Sequence, residues 1–149
     1  MTDEGIYFEL EYDSDSVTGL SPPETCIAQY LSLAGFGTTG TDIFINTRPN
    51  TPDNLLTVFG YAGSGILRTH DTSGNEQPGI QVYVRNASAG TARTNISNVL
   101  DVLDGLANTT MGDRFFLNIL ANQSPTPLGK DENGRTQYVL NFSTIVRRG

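Results

Sequence analysis

Apolar and polar residues alternate near the start of the chain, and the pattern then becomes polar. Over residues 5–12 every second residue is apolar, which predicts a strand with one apolar face. The apolar side of that strand consists of Ile6, Phe8, Leu10 and Tyr12. Residues 13–20 are rich in aspartate and serine and end the alternation. Residues 1–20 are therefore predicted to form an extended N-terminal arm, followed by a single domain of residues 21–149.

Apolar residues at helical spacing predict two helices. The first begins at a Ser-Pro-Pro-Glu sequence, where Ser21 can cap the helix and Glu24 favours the positive end of its dipole. Gly35 ends this helix. The second begins after Ser88 and ends before Gly105, which is suited to the left-handed position after the last turn. Its apolar stripe is formed by Ala92, Ile96, Val99, Leu100 and Leu103.

Short apolar or alternating runs predict the remaining strands. They lie at residues 42–46, 55–61, 80–85, 115–120 and 137–146. Glycine and polar residues dominate residues 60–79, which predicts a long exposed loop, and residues 125–134 predict a turn-rich loop. Strands joined by turn-like loops favour an α+β fold: an antiparallel or mixed four- to five-stranded sheet with two helices packed on one face.

Composition narrows the classes of function. A chain of 149 residues is long enough to bury a core as one domain. Its formal net charge of −7 argues against a surface that grips nucleic acid, although DNA could still slide past it. With one cysteine, Cys26, and one histidine, His70, neither an internal disulfide nor a common zinc site is expected. The chain shows no signal-peptide pattern or membrane-length apolar run, so we expect a soluble cytoplasmic product.

Three motifs weakly suggest an enzymatic or cofactor-binding function. The glycines between Gly35 and Gly40 match the letters of a dinucleotide fingerprint, but a helix precedes them and a strand follows, the reverse of the required order. His70 and Asp71 could form a general-base pair with Ser64 or Ser73 as the nucleophile, but no nucleophile-elbow sequence is present. The aspartates of residues 13–15 lack the later residues of a phosphatase site. We predict no catalytic, cofactor-binding or metal site.

Two longer motifs carry a resemblance to a known family. The first is Pro-Gly-Ile-Gln-Val-Tyr-Val-Arg at residues 78–85, and the second is Pro-Leu-Gly-Lys-Asp-Glu-Asn-Gly-Arg at residues 127–135. They belong to a series of short motifs whose order and spacing extend over residues 22–146. Together they resemble the bacteriophage minor capsid proteins of the tail-terminator type. The resemblance implies a structural virion protein that forms a homohexamer ring at the neck. Such a ring caps the tail tube, joins it to the head-side connector and lets genomic DNA pass through its lumen.

The resemblance also directs attention to surfaces between subunits. We expect the interface to use the N-terminal arm, the loop of residues 61–77 and the turn-rich clip of residues 128–135. The predicted interface residues are Ile6, Phe8, Leu10, Tyr12, Arg48, Tyr61, Arg68, His70, Leu128, Lys130, Asp131, Glu132 and Arg135. Among these, Arg48, Arg68, Lys130 and Arg135 are expected to pair with acids of a neighbour. The alternatives are a head-completion or stopper protein, a tail-tube subunit and, more remotely, a small hydrolase or a ligand-binding domain.

Overall fold

The computed structural model describes residues 20–67 and 74–148. Two helices lie in these ranges, α1 (Pro23–Leu33) and α2 (Ala89–Leu103). The strands are β1 (Ile43–Ile45), β2 (Leu55–Leu67), β3 (Asn75–Asn86), β4 (Leu106–Met111), β5 (Arg114–Ala121), β6 (Thr126–Lys130) and β7 (Thr136–Arg147). The N-terminal arm, the tip of the hairpin between β2 and β3 and the last residue lie outside these ranges.

The strands form one sheet in the order β1-β2-β3-β7-β5-β4. Strand β7 is central, because it pairs with β3 along one side and with both β6 and β5 along the other. All of these pairs are antiparallel except β1 with β2, which is parallel. The sheet is therefore mixed, as predicted, but it has seven strands within the described ranges rather than four or five.

One face of the sheet and both helices enclose the core. Val82 lies opposite Leu140, and Ile80 lies opposite Phe142, so apolar pairs form continuous layers across β3 and β7. Helix α2 covers these layers with the stripe that the sequence predicted. Ala92, Ile96, Val99 and Leu103 are fully buried, and Leu100 is partly buried against them. Ser88 caps this helix by accepting a hydrogen bond from the amide of Thr91.

The two helices have different positions over the sheet. Helix α2 contacts the middle strands β3, β7 and β5, whereas α1 contacts β1 and β2 near one edge and β4 at the other edge. Because α1 reaches both edges, the sheet is strongly curled and α1 bridges its ends. The prediction of two helices packed on one face is therefore confirmed in outline, but the packing of α1 differs in detail because it spans both edges of the sheet.

The predicted loops are the main errors of the sequence analysis. Residues 62–67 and 75–79 were predicted to be loop but extend the β2–β3 hairpin. Two short strands were missed, β4 after the second helix and β6 within the clip. In each case pairing with a neighbouring strand overrides weak local propensity. The dinucleotide alternative stays unsupported, because Gly35, Gly37 and Gly40 form left-handed turns between a helix and a strand.

Candidate subunit-interaction surface

The face of the sheet opposite the helices is only partly covered. We call it the outer face. Side chains alternate along a strand, so the residues between the core positions point to this side. Its residues are Leu55, Thr57, Phe59 and Tyr61 of β2, Gly79, Gln81, Tyr83 and Arg85 of β3, Leu120 of β5, and Gln137, Val139, Asn141 and Ser143 of β7.

One end of the outer face is closed by the β1–β2 loop, residues 46–54. Arg85 is 3% exposed and holds this loop through its guanidinium. Its Nη2 lies 2.8 Å from the carbonyl oxygen of Pro49 and 2.6 Å from that of Pro52. The same atom lies 3.3 Å from the carbonyl oxygen of Asn50, and Nε donates to that of Asp53 at 3.2 Å. One side chain of the sheet thus contacts four carbonyl oxygens of the loop.

A second buried arginine ties the same loop to the clip. Arg135 is 4% exposed and donates from Nη1 to the carbonyl oxygen of Asn50 at 2.6 Å. Its Nε donates to Asp131 Oδ2 at 2.8 Å, and its Nη1 lies 3.3 Å from Asp53 Oδ1. Any desolvation would raise the pKa of the Asp131 carboxyl, but hydrogen bonds from Arg135 and Asn133 lower it below its usual value. The loop and the clip therefore form one connected unit.

The cleft between loop and clip is lined by polar and charged side chains and has a volume of about 350 Å³. The hydroxyl of Tyr83 and the side chain of Gln137 form a short hydrogen bond of 2.5 Å in it. Arg48 lies over the Tyr83 ring, with its guanidinium carbon 4.7 Å from the ring centre. Glu132 adds a carboxylate to the lining of the cleft. This end of the outer face is a charged, hydrogen-bonded surface.

The other end of the outer face is an apolar-edged groove. Tyr61 lies opposite Gly79, Gly79 opposite Ser143, and Ser143 opposite Leu120, so two large side chains flank two small ones. Tyr61 is 47% exposed and Leu120 is 49% exposed. The groove between them has a volume of about 350 Å³. No charged residue is among the described residues that line it.

A β-bulge shapes the groove. The register of β2 against β3 shifts between Tyr61 and Ser64, opposite Pro78, whose nitrogen has no hydrogen to donate. Gly63 occupies the bulge with φ +64°, and a Cβ there would collide with the backbone of Gln77 and Gly79. The Tyr61 ring likewise packs on Gly79 where a Cβ would stand. Gly63 therefore allows the backbones of β2 and β3 to approach closely, and Gly79 makes room for the Tyr61 ring.

A separate polar cluster fixes the start of α1 on the helix side of the sheet. Asp113, in the β4–β5 turn, accepts hydrogen bonds from the amide and the hydroxyl of Ser21, each at 3.0 Å. Arg114 donates to the carbonyl oxygen of Ser21 and forms an ion pair with Glu76 at 3.0 Å. Desolvation would raise the pKa of the Asp113 carboxyl, but the bonds from Ser21 lower it below 3.8. This cluster holds the chain where it enters the domain.

Cys26 contacts the same cluster but is not poised for chemistry. Its thiol lies 3.6 Å from Asp113 Oδ1. Burial, and then the negative charge of Asp113, raises the pKa of the thiol to about 11. Because the thiolate is the nucleophilic form, such a thiol is unreactive near neutral pH. Cys26 is a core residue of α1.

Neither a metal centre nor a membrane helix is found in the described ranges. No group of three or more histidine, cysteine or acidic side chains there is arranged to hold a metal ion. No described helix is long and apolar enough to cross a membrane.

Comparison with known proteins gives the family. The family model of the bacteriophage tail terminator proteins matches residues 30–148. The chain belongs to this family. The match covers α2, every described strand and the last turn of α1, so the surface described above belongs to the family domain. This membership makes the chain a phage structural protein and a component of the virion.

A solved structure with the same fold agrees with this assignment. One chain of a structure described as the virion of a native gene transfer agent particle aligns with a TM-score of 0.59 and 16% sequence identity. The alignment covers 84% of this chain and 94% of that chain. At this identity the likeness establishes the fold alone. Among curated protein sequences, none matches the chain.

The predicted interface residues lie in several places on the tail-terminator domain. Tyr61 borders the groove, and Leu128, Lys130 and Glu132 are exposed on the clip. Arg48 is exposed beside the cleft. Their role at an interface stays a prediction. The arm residues Ile6, Phe8, Leu10 and Tyr12, together with Arg68 and His70, lie outside the described ranges.

Two of the predicted residues have contacts within the chain that the sequence did not indicate. Arg135 pairs with Asp131 and Asp53 of its own chain, so it positions the clip, and its pairing with an acid of a neighbour stays a prediction. The sequence analysis also did not single out Arg85 or Leu120. Arg85 could have been noticed from its position on the polar side of an alternating strand. A charged residue there, with a proline-rich loop nearby in the sequence pattern, suggests that it contacts the loop.

Proposed function

We propose that this tail-terminator chain forms a closed ring that caps the tail tube and joins it to the head-side connector. Membership of the tail terminator family over residues 30–148 is the observation that carries the proposal. The role is structural, without a catalytic step, and the chain is assembled in the host cytoplasm. Its partners are further copies of itself, the tail-tube protein and the connector or stopper protein.

The surface described above has the properties that ring closure needs. A closed ring requires two different patches on each subunit that fit one another, because its contacts are heterologous. The groove beside Tyr61 and Leu120 is one exposed patch with apolar borders, and the clip, where Leu128 is 47% exposed among polar residues, is another exposed patch. Both patches are held by sheet and hydrogen-bond contacts, which lowers the entropy lost on association.

The distribution of charge supports passage of DNA without binding. Phosphate binding relies on clustered, exposed lysine and arginine. Of the arginines, Arg85, Arg114 and Arg135 are buried and donate to groups of the same chain. They therefore contribute little to a phosphate-binding surface. A ring of such subunits would repel the phosphates or leave them unbound, and the genome would pass through.

The proposal is tested by the size of the assembly and its effect on tail tubes. We expect light scattering and negative-stain images of the purified protein to show one discrete ring near a hexamer. Adding the protein to polymerising tail-tube subunits should stop growth and leave a ring on the tube end. Long tubes formed by the protein alone would instead identify a tail-tube subunit. Rings that bind the connector but leave tube growth unaffected would identify a stopper protein.

Variants on the two patches separate specific closure from general association. Leu128→Asp places a charge on the clip patch, and we expect it to reduce rings while the subunit stays folded. Leu33→Asp is the matched control, since Leu33 is 90% exposed at the end of α1. Equal loss of rings in both variants would contradict a role for the clip. Unchanged rings in Leu128→Asp would contradict it as well.

A further inference from the structure

The negative charge of this protein is concentrated outside the described domain. Residues 1–19 contain six acidic residues and no lysine or arginine, so they carry −6 of the formal net charge of −7. The acids are Asp3, Glu4, Glu9, Glu11, Asp13 and Asp15. Residues 20–149 hold the other ten acids and all nine basic residues, for a net charge of −1. The domain and its N-terminal segment thus differ sharply in charge.

Residues 5–12 also carry an apolar side that needs a partner surface. In an extended conformation their alternation would put Ile6, Phe8, Leu10 and Tyr12 on one side. A single strand cannot bury such a side by itself, because one strand has no second layer to pack against. Eight residues of extended strand span about 26 Å. The partner surface must therefore offer exposed apolar side chains and no carboxylates.

The groove of the outer face offers such side chains: Tyr61, Pro78, Leu120 and Ile145 line it, together with the polar side chains of Gln77, Asn118 and Asn122. It is bordered by Tyr61 and Leu120, its floor carries Gly79 and Ser143, and no acidic residue is among its described lining. Arg147 follows Ile145 by two positions on β7 and lies over the Phe115 ring at 4.3 Å, so a cation stands beside the groove. An acidic strand with an apolar side would find both apolar contact and charge attraction there.

The path of the chain indicates which subunit supplies the strand. Ser21 is bonded to Asp113 and leads into α1, on the face of the sheet opposite the groove. The linker of residues 13–20 spans at most about 28 Å when fully extended. To fill the groove of its own subunit, the segment would have to wrap around the edge of the sheet. In a ring, the segment of one subunit can continue directly to the groove of the next.

We propose that residues 5–12 of each subunit dock as a strand in the outer-face groove of a neighbouring subunit. This inference rests on the proposed ring, because the ring brings the neighbour within reach. The apolar side of the strand packs between Tyr61 and Leu120. Its acids face away from the groove or towards Arg147. The exchange links each subunit to the next in addition to the contacts between the domains.

A disulfide between cysteines placed on two different chains tests this strand exchange directly. One chain carries Phe8→Cys and the other Leu120→Cys, both with Cys26→Ser to remove the native thiol. After mixing, assembly and mild oxidation, we expect a disulfide-linked heterodimer on a non-reducing gel. Leu33→Cys in place of Leu120→Cys is the control for random collision, and the heterodimer should be lost. Adding Arg147→Glu should reduce the yield by repelling the acidic strand.

The outcomes separate this inference from the proposed ring. Rings without the Phe8–Leu120 heterodimer overturn the inference and leave the ring intact. A heterodimer in a species smaller than a ring supports strand exchange and contradicts ring closure. A single chain carrying both cysteines supplies the last test. If its disulfide forms within the chain and mixed chains give no heterodimer, the segment occupies its own groove and exchange is wrong.

Discussion

Replacing Arg85 by methionine tests whether one buried side chain holds the β1–β2 loop. Methionine keeps much of the length and the apolar stem of arginine but removes every hydrogen-bond donor. Four carbonyl oxygens, those of Pro49, Asn50, Pro52 and Asp53, lose their contact with the guanidinium. Since Nη2 has two hydrogens and three carbonyl oxygens within reach, two of these oxygens share one hydrogen. The change therefore removes about three full hydrogen bonds.

The expected cost follows from the burial of these groups. A hydrogen bond to a charged group contributes about 1.5–3 kcal/mol net, so three of them set an upper limit near 9 kcal/mol. Two effects lower the cost. The loop lies at the surface, where water can reach some of the freed carbonyl oxygens, and the variant no longer has to desolvate a cation. We expect a loss of about 3 kcal/mol in the free energy of unfolding, a large share of the 5–15 kcal/mol typical of a domain.

Urea denaturation is the assay. Arg85→Met should lower the midpoint while the slope stays unchanged, since the folded and unfolded states keep their surface areas. Arg93→Met is the matched control, because Arg93 is exposed on α2 and its loss should cost less than about 0.5 kcal/mol. A loss below about 1 kcal/mol for Arg85→Met would refute the reasoning. It would mean that water replaces the guanidinium at almost no cost.

Three further predictions concern the bulge, the core and acid stability. Gly63→Ala should cost about 2–4 kcal/mol, because alanine meets both the left-handed φ and the backbone of β3, whereas Gly65→Ala should stay within about 1 kcal/mol by urea midpoint. Leu31→Ala should cost about 2–5 kcal/mol and Leu33→Ala under about 0.5 kcal/mol, since the former is fully buried and the latter is 90% exposed. The pKa of Asp113 is lowered in the folded state, so its contribution to stability is present above its usual value of 3.8 and is lost as pH falls below it. Thermal denaturation of Asp113→Asn should therefore show a smaller loss of stability on acidification than the natural sequence, and an equal loss would contradict the role of the Ser21 contacts.

The sequence was most informative where one periodic pattern extends over many residues. Helix α2 and its four buried residues followed from spacing alone, because every apolar residue of the stripe enters one core. Strand β3 was predicted for residues 80–85, where Ile80, Val82 and Val84 alternate with polar residues. In both cases the local pattern and the tertiary environment impose the same requirement on each residue.

The pattern failed where pairing, and not the side chains, maintains the strand. Residues 60–67 are rich in glycine and give no alternation, yet they continue the ladder with β3 through a bulge at Gly63. Strand β6 contains Pro127 and is exposed throughout, so only its pairing with β7 defines it. Strand β4 was missed although Gly112 and Asp113 form a two-residue connection to β5, a hairpin signal that a short polar strand obscured.

The contacts of the two buried arginines bear on how a ring could recognise its partners. A clip on a mobile loop would lose conformational entropy at every contact, and isolated surface ion pairs contribute only about 0–1 kcal/mol each. Here Arg135 and Arg85 both bind the carbonyl oxygen of Asn50, one from the clip and one from the sheet. Removing either arginine should therefore loosen both the loop and the clip. If the clip is an interface, Arg85→Met should weaken ring closure although Arg85 itself is buried. A variant that is less stable yet closes rings with unchanged affinity would show that the contacts between subunits lie elsewhere.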